Sequence, residues 1–206
     1  LEENQAYREF FQECVKAGRS VILDNSVFEL GESFDSNKFK KHIYDLKPTE
    51  YIIPDAIGDC DKTIQLCEEF ITEDVPPGIK IGVVQGKTYS DMVRCYKALD
   101  KHVDKIAFSF GNPMFNQVNF NPDRSMNRTM ARVWLLTNLL SEGVINLHKP
   151  HHLLGCNLPI EFIFYRQRDF FWLESVDTSS PIVHGLKEIT YDGYGLLSKD
   201  DVKLAD

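Results

Sequence analysis

No stretch of this chain approaches the roughly 20 apolar residues that a membrane-crossing helix needs. It also has no glycine-rich phosphate loop of the G-x-G-x-x-G or Walker type, so the nucleotide-phosphate folds built on those loops gain no support. Short-spaced cysteine pairs are missing too. Cys14, Cys60, Cys67, Cys95 and Cys156 are odd in number and scattered, unlike a secreted disulfide framework. Cys60 and Cys67 stand too far apart for a zinc knuckle. The reading is five reduced, structural thiols. Positive charge is in deficit: 31 acidic against 23 basic residues give a formal net charge of −8. Such a chain is a poor candidate for holding long duplex DNA by charge alone. The polar, helix-prone start from Leu1 to Phe11 does not read as a signal peptide. A cytoplasmic location is therefore the default expectation, with no membrane partner.

What the chain does have is core material and alternation. Its 206 residues are 43% apolar and 12% aromatic, enough for one globular domain, 1–206, with a sizeable core, and two small domains are the alternative. Helices are expected over Glu3–Ala17, closed by Gly18, over Asn37–Leu46, capped by Ser36 and stopped by Pro48, and over Asp61–Ile71. Further helices are expected over Ser90–Leu99, opened by Ser90 or Tyr89, over Met126–Leu140, and over Leu158–Tyr165, begun by Pro159. Between them run short apolar segments: Ser20–Leu23, Tyr51–Ile53, Lys80–Val84, Lys105–Phe108, His152–Leu154 and Phe171–Ser175. Continuous apolar strands alternating with amphipathic helices imply parallel strands covered by helices, an α/β fold. The chain is short for a (β/α)8 TIM-type barrel, normally about 250 residues, and it opens on a helix. The expectation is a short or incomplete barrel lacking its first strand, with an open doubly wound parallel sheet as the alternative.

In both architectures ligands bind at the carboxyl ends of the strands. The residues just past each apolar run are Asp24, Asn25 and Ser26, then Pro54 and Asp55, then Gln85 and Gly86. The later runs are followed by Ser109, Phe110 and Gly111, by Gly155 and Cys156, and by Asp177, Thr178, Ser179 and Ser180. Each alone is a common turn or cap residue. Together they place three carboxylates, two amides, hydroxyls and glycines on one expected rim. Three basic runs are candidate contacts to phosphate: Lys38, Lys40, Lys41 and Lys47; Lys97, Lys101 and Lys105; and Arg124, Arg128 and Arg132. Against each stands the plain reading of a solvated helix face.

These segments resemble the tRNA-guanine transglycosylase family, including its DNA-acting 7-deazaguanine relatives. Asp24-Asn25-Ser26 with Phe28 is similar to that family's Asp-Ser-Gly-Gly-aromatic stretch. Pro54-Asp55 resembles its purine-holding aspartate. Val83-Val84-Gln85-Gly86 resembles its Val-Gln-Gly motif, and His152-Leu153-Leu154-Gly155 its Leu-Leu-Gly tract. Phe171 to Pro181 is similar to the strand bearing the nucleophilic aspartate, with Asp177 in that place, and Thr190-Tyr191-Asp192-Gly193 resembles the stretch that follows. The matches run in family order from about Val21 to Leu197. Three departures stand out. Ser26-Val27 replaces a double glycine, Ser109-Phe110-Gly111 replaces a glycine-rich loop, and the family's zinc-binding Cys-x-Cys-x-x-Cys…His cluster is missing.

The resemblance implies replacement of guanine in DNA or tRNA by a 7-deazaguanine base. Asp177 would be the nucleophile of a covalent aspartyl-ribosyl intermediate and Asp24 the general acid/base. Asn25, Ser26, Asp55, Gln85, Gly86, Ser109, Phe110 and Gly155 would form the base pocket. It implies no cofactor and no catalytic metal. The missing zinc subdomain tilts the acceptor towards DNA, with Arg124, Arg128 and Arg132 tracking its backbone and a homodimer or partner subunit as the assembly. Two other readings stay open. His148, His151, His152 and Asp177 could form the metal cluster of a barrel hydrolase, or the chain could be a non-catalytic nucleic-acid-binding subunit. Thr178, Ser179 and Ser180 could orient Asp177, and Pro181 could stiffen the exit from the strand.

Overall fold

The computed structural model describes residues 4–27, 31, 35–72, 74–166 and 168–191. Phe28, Asp192, Gly193 and Leu197 lie outside them. The fold is α/β. A single six-stranded parallel sheet has the order β1-β2-β3-β4-β5-β6. The strands are β1 (Ile22–Leu23), β2 (Glu50–Ile52), β3 (Ile79–Val83), β4 (Lys105–Ser109), β5 (His151–Leu154) and β6 (Leu173–Val176). The helices are α1 (Gln5–Lys16), α2 (Ser36–Leu46), α3 (Cys60–Thr72), α4 (Tyr89–Leu99), α5 (Arg124–Ser141), α6 (Glu161–Phe164) and α7 (Ser180–Leu186). A doubly wound sheet needs a reversal of strand order. This order is strictly sequential and lacks that reversal, while the open parallel sheet of that alternative is consistent with it. Among the described residues no helix is long and apolar enough to cross a membrane. By its internal contacts the chain divides into two compact units, Leu1–Ile106 and Ala107–Asp206.

In the first unit, Ile22 pairs with Glu50 and Glu50 with Ile79 in parallel register. The strands are short, and a polar or proline residue follows each of them closely: Asp24 after β1, Pro54 after β2 and Gln85 after β3. Tyr51, Ile52 and Ile81 of the strands and Met92 and Cys95 of α4 are at most 1% exposed. Burying each such side chain contributes about 1.5–3 kcal/mol. The Tyr51 hydroxyl donates to the Pro76 carbonyl at 2.8 Å. Capping sets the helix starts. Asp35, not Ser36, accepts from Lys38 N and opens α2. Thr88, not Ser90 or Tyr89, opens α4 with a reciprocal capping box to Asp91. After α1, Gly18 takes φ +72°, the left-handed turn that ends a helix at little cost for glycine.

Two lysines expected on solvated faces are buried here. Lys105 opens β4, the strand expected over Lys105–Phe108, and its Nζ sits 2.7 Å from Glu50 Oε2, the lysine side chain only 2% exposed. Lys40 lies over the Phe70 ring, 4.8 Å from its centroid.

In the second unit, α5 turns Ala131, Leu135, Leu136 and Leu139 inward, all fully buried. Their spacing is that of one helical face. The short 3-10 turn over Pro113–Asn116 contacts α5, and its Phe115 is fully buried, while Leu153 of β5 is 3% exposed. The His151 ring stacks on Phe108 and meets Trp172 edge-on. The segment after β6 forms α7, with Pro181 in its first turn. Proline fits there because its missing N–H would have no helical partner.

Candidate active site

Each unit gathers polar side chains at the carboxyl ends of its own strands. In the first, Asn25 follows β1, Asp55 follows β2 and Gln85 follows β3, and all three are at most 2% exposed. Asn25 Nδ2 donates to the Ile53 carbonyl at 2.8 Å and to Asp55 Oδ1 at 2.6 Å. Gln85 Nε2 donates to Asp55 Oδ2 at 2.7 Å, while Gln85 Oε1 accepts from Gly58 N. The backbone partners fix which end of each amide faces the carboxylate, so both Asp55 oxygens receive N–H groups. Burial raises the Asp55 pKa from 3.8 to about 6, against the lowering effect of the two amide donors, and nearby Asp24 adds to the rise.

Asp24 itself is exposed, and its Oδ1 accepts from Ser26 N at 3.0 Å. Ser26 takes φ +58°, a left-handed conformation costly for a residue with a Cβ. It turns the chain so that Asn25 points in while Asp24 points out. Gly86 has a packing reason to be glycine. A Cβ there would lie 2.6 Å from Asp91 Cβ and 3.1 Å from the α4 backbone.

In the second unit Asp177 follows β6. Its Oδ1 accepts from Gly155 N at 2.9 Å and lies 3.2 Å from His152 Nε2. A carboxylate only accepts, so Nε2 carries the hydrogen towards Asp177, and Nδ1 lies 2.8 Å from the Ser175 hydroxyl. Partial burial works to raise the Asp177 pKa. The hydrogen bonds from His152 and Gly155, with the charges of His152 and Arg132, outweigh it and hold the carboxyl below its ordinary range. His152 is buried, yet the Asp177 side chain is 57% exposed. The result is an ionised carboxylate with one oxygen anchored from the protein side.

Gly155 takes φ +69°, a turn that suits glycine and aims its N–H at Asp177. Ser109 Oγ accepts from Gly111 N at 3.2 Å, and the Phe110 ring lies 5.1 Å from the Arg132 guanidinium. Two of the hydroxyls expected to orient Asp177 do not bond to it. Thr178 donates to the Cys156 carbonyl at 2.7 Å, and Ser180 Oγ is buried without a hydrogen-bond partner.

Arg132 requires a correction. It does not join Arg124 and Arg128 on a face that tracks phosphate. It is 0% exposed and bridged to Glu161, because the helical period that puts it below Arg128 also turns it into the core. Arg124 is exposed and Arg128 partly so.

The proposed histidine cluster does not converge. His148 is exposed, His151 Nδ1 lies 2.8 Å from the Lys149 carbonyl, and only His152 meets Asp177. Among the described residues no three His, Cys, Asp or Glu side chains gather as a metal site. All five cysteines are buried and free. Sequence reasoning gave His152 no role beside Asp177 except as a metal ligand. Its position three residues before Gly155, on the strand neighbouring β6, was the available signal. No family model matches the chain, and no curated protein sequence matches it.

Proposed function

We propose that the chain is a nucleobase-exchange transglycosylase on a short (β/α)8-type barrel, with Asp177 as nucleophile. One observation carries this reading: Asp177 is exposed on one side and fastened on the other by His152 and Gly155, with its pKa held down. A nucleophilic carboxylate needs that combination of ionisation, fixed orientation and access. The sequential order of parallel strands supports the barrel, since successive right-handed crossovers in one direction curl a sheet towards closure.

In the proposed reaction an Asp177 oxygen attacks C1′ of a guanine nucleotide. The C1′–N9 bond breaks, its electron pair leaves with the base, and an ester joins Asp177 to the sugar. The carboxylate also stabilises the positive charge that develops on the sugar in the transition state. Asp24, exposed and oriented by the Ser26 N–H, protonates the departing guanine and later takes the proton of an incoming 7-deazaguanine, whose nitrogen displaces the ester. Asp55, held by Asn25 and Gln85, is the carboxylate that would accept a purine N–H. At 1% exposure a base reaches it only by displacing a neighbouring group. The target nucleotide must be flipped out or single-stranded. Arg124 and Arg128 remain as contacts to the backbone, and DNA is the acceptor favoured.

The test is a denaturing gel of the protein with labelled DNA or tRNA and a slowly reacting deazaguanine base. A covalent band is expected with wild type and none with Asp177→Asn, which should melt close to wild type. Absence of a band from wild type with both nucleic acids would remove the proposed chemistry.

A further inference from the structure

Arg132 and Glu161 are each 0% exposed, and such a pair is hard to justify by stability alone. Two buried charges are often no more stabilising than apolar side chains of the same volume. Their hydrogen bonds show a different use. Arg132 has five N–H donors, and each has an acceptor. Nε donates to Glu161 Oε1 at 2.7 Å, and Nη2 to Glu161 Oε2 at 2.9 Å and to the Gly155 carbonyl at 2.7 Å. Nη1 donates to the carbonyls of Phe108 at 3.2 Å and Leu154 at 3.1 Å. The Tyr165 hydroxyl donates to Glu161 Oε1 at 2.7 Å.

The Leu154 carbonyl belongs to the same peptide unit as the Gly155 N–H. In a trans peptide the two point in opposite directions. That carbonyl is held by Arg132 and by Phe110 N at 2.8 Å. The N–H on the other side meets Asp177 Oδ1 at 2.9 Å. The next carbonyl, that of Gly155, is held by Arg132 as well, so both peptide planes around the left-handed Gly155 are fixed. A cation on the carbonyl side also polarises the peptide and strengthens its N–H as a donor.

We infer that Arg132, locked by Glu161, is a positioning residue that sets the Gly155 peptide and through it the orientation and ionisation of Asp177. The charged and titratable groups around the arginine are Glu161, Tyr165 and Cys156, and His152 faces Asp177 from β5. The inference rests on the reading of Asp177 as the reactive carboxylate.

The experiment is a carboxyl-carbon NMR titration of Asp177 in the full chain, with Asp177→Asn assigning the resonance. Two variants are compared with wild type. Arg132→Met combined with Glu161→Leu removes both charges together, so neither is left buried alone, and Arg132→Lys keeps the charge but loses the fork. In the folded double variant Asp177 should titrate at a higher pH than in wild type, because the Gly155 N–H that holds its charged form is no longer fixed. The Gly155 amide resonance should move, and adduct formation should fall about tenfold in kcat with KM little changed, a loss of about 1.4 kcal/mol in the transition state. Arg132→Lys should move the Gly155 amide and shift Asp177 less, and it decides the matter if the double variant does not fold. A folded variant with the Gly155 amide and the Asp177 titration both unchanged overturns the inference. A wild type that forms no adduct while the titration shifts as expected sinks the transglycosylase reading and leaves the positioning role standing.

Discussion

Stability should depend on pH in part through Asp55. Burial raises its pKa from 3.8 to about 6 in the folded chain. Because the folded value is the higher one, the native state binds a proton more tightly than the unfolded chain. The group's stabilising contribution is therefore complete below about pH 3.8 and is lost as pH rises through about 6. The full difference is worth about 3 kcal/mol at 1.36 kcal/mol per pKa unit. Between about pH 4.5 and pH 7, where the chain is easier to handle, about 2 kcal/mol of it should disappear. The perturbation is Asp55→Asn, which has no charge to titrate. Urea unfolding of both proteins across this range gives a stability difference in which all other titrating groups cancel. The wild type should lose about 2 kcal/mol relative to the variant on going from pH 4.5 to pH 7. A difference that stays flat, or one that grows in the opposite direction, would mean that Asp55 is not desolvated as its 1% exposure implies.

Two further outcomes are expected of the framework. Gly86→Ala should destabilise by about 1–3 kcal/mol in thermal melts, because its Cβ meets the start of α4 at 2.6 Å and backbone there cannot yield as a side chain tip would; an unchanged Tm would show that α4 can shift freely. Thr88→Ala should cost about 0.5–2 kcal/mol by removing the cap of the same helix, and hydrogen exchange should quicken in its first turn, with uniform exchange along α4 as the contrary result.

The alternation of strands and helices was legible because runs such as Ile81 to Val84 and Ile106 to Phe108 are apolar on both faces, and a buried parallel strand has that composition. Helix starts were displaced by a residue or two where two candidate caps stood together. Asp35 precedes Ser36 and Thr88 precedes Tyr89, and only the turn geometry chooses between them. Helix α7 was missed since Pro181 reads as a breaker, although a first turn accepts it. At the candidate site, the positions of Asp24, Asp55, Gln85 and Asp177 past their strands could be read along the chain. The partners of these residues could not. His152 meets Asp177 across 25 residues and Arg132 meets Glu161 across 29. A period of 3.6 places Arg132 on a face but says nothing of a carboxylate that lets a guanidinium be buried there. Lys105 misled for the same reason, its partner Glu50 lying at the foot of another strand.

The sequential strand order also bears on how the chain gets to its native state. Ile22 waits for Glu50, Glu50 for Ile79, and His151 for Leu173, so each of these pairings closes a loop of about thirty residues or fewer. The entropy of closure grows only with the logarithm of loop length. These steps therefore have similar, modest costs, and none of them needs a strand from the far end of the sequence. A ribosome releasing the chain from its amino end supplies each strand of the first unit just after the one it must lie against. Folding can then advance as a zipper, with little time for an unsatisfied strand edge to meet another molecule.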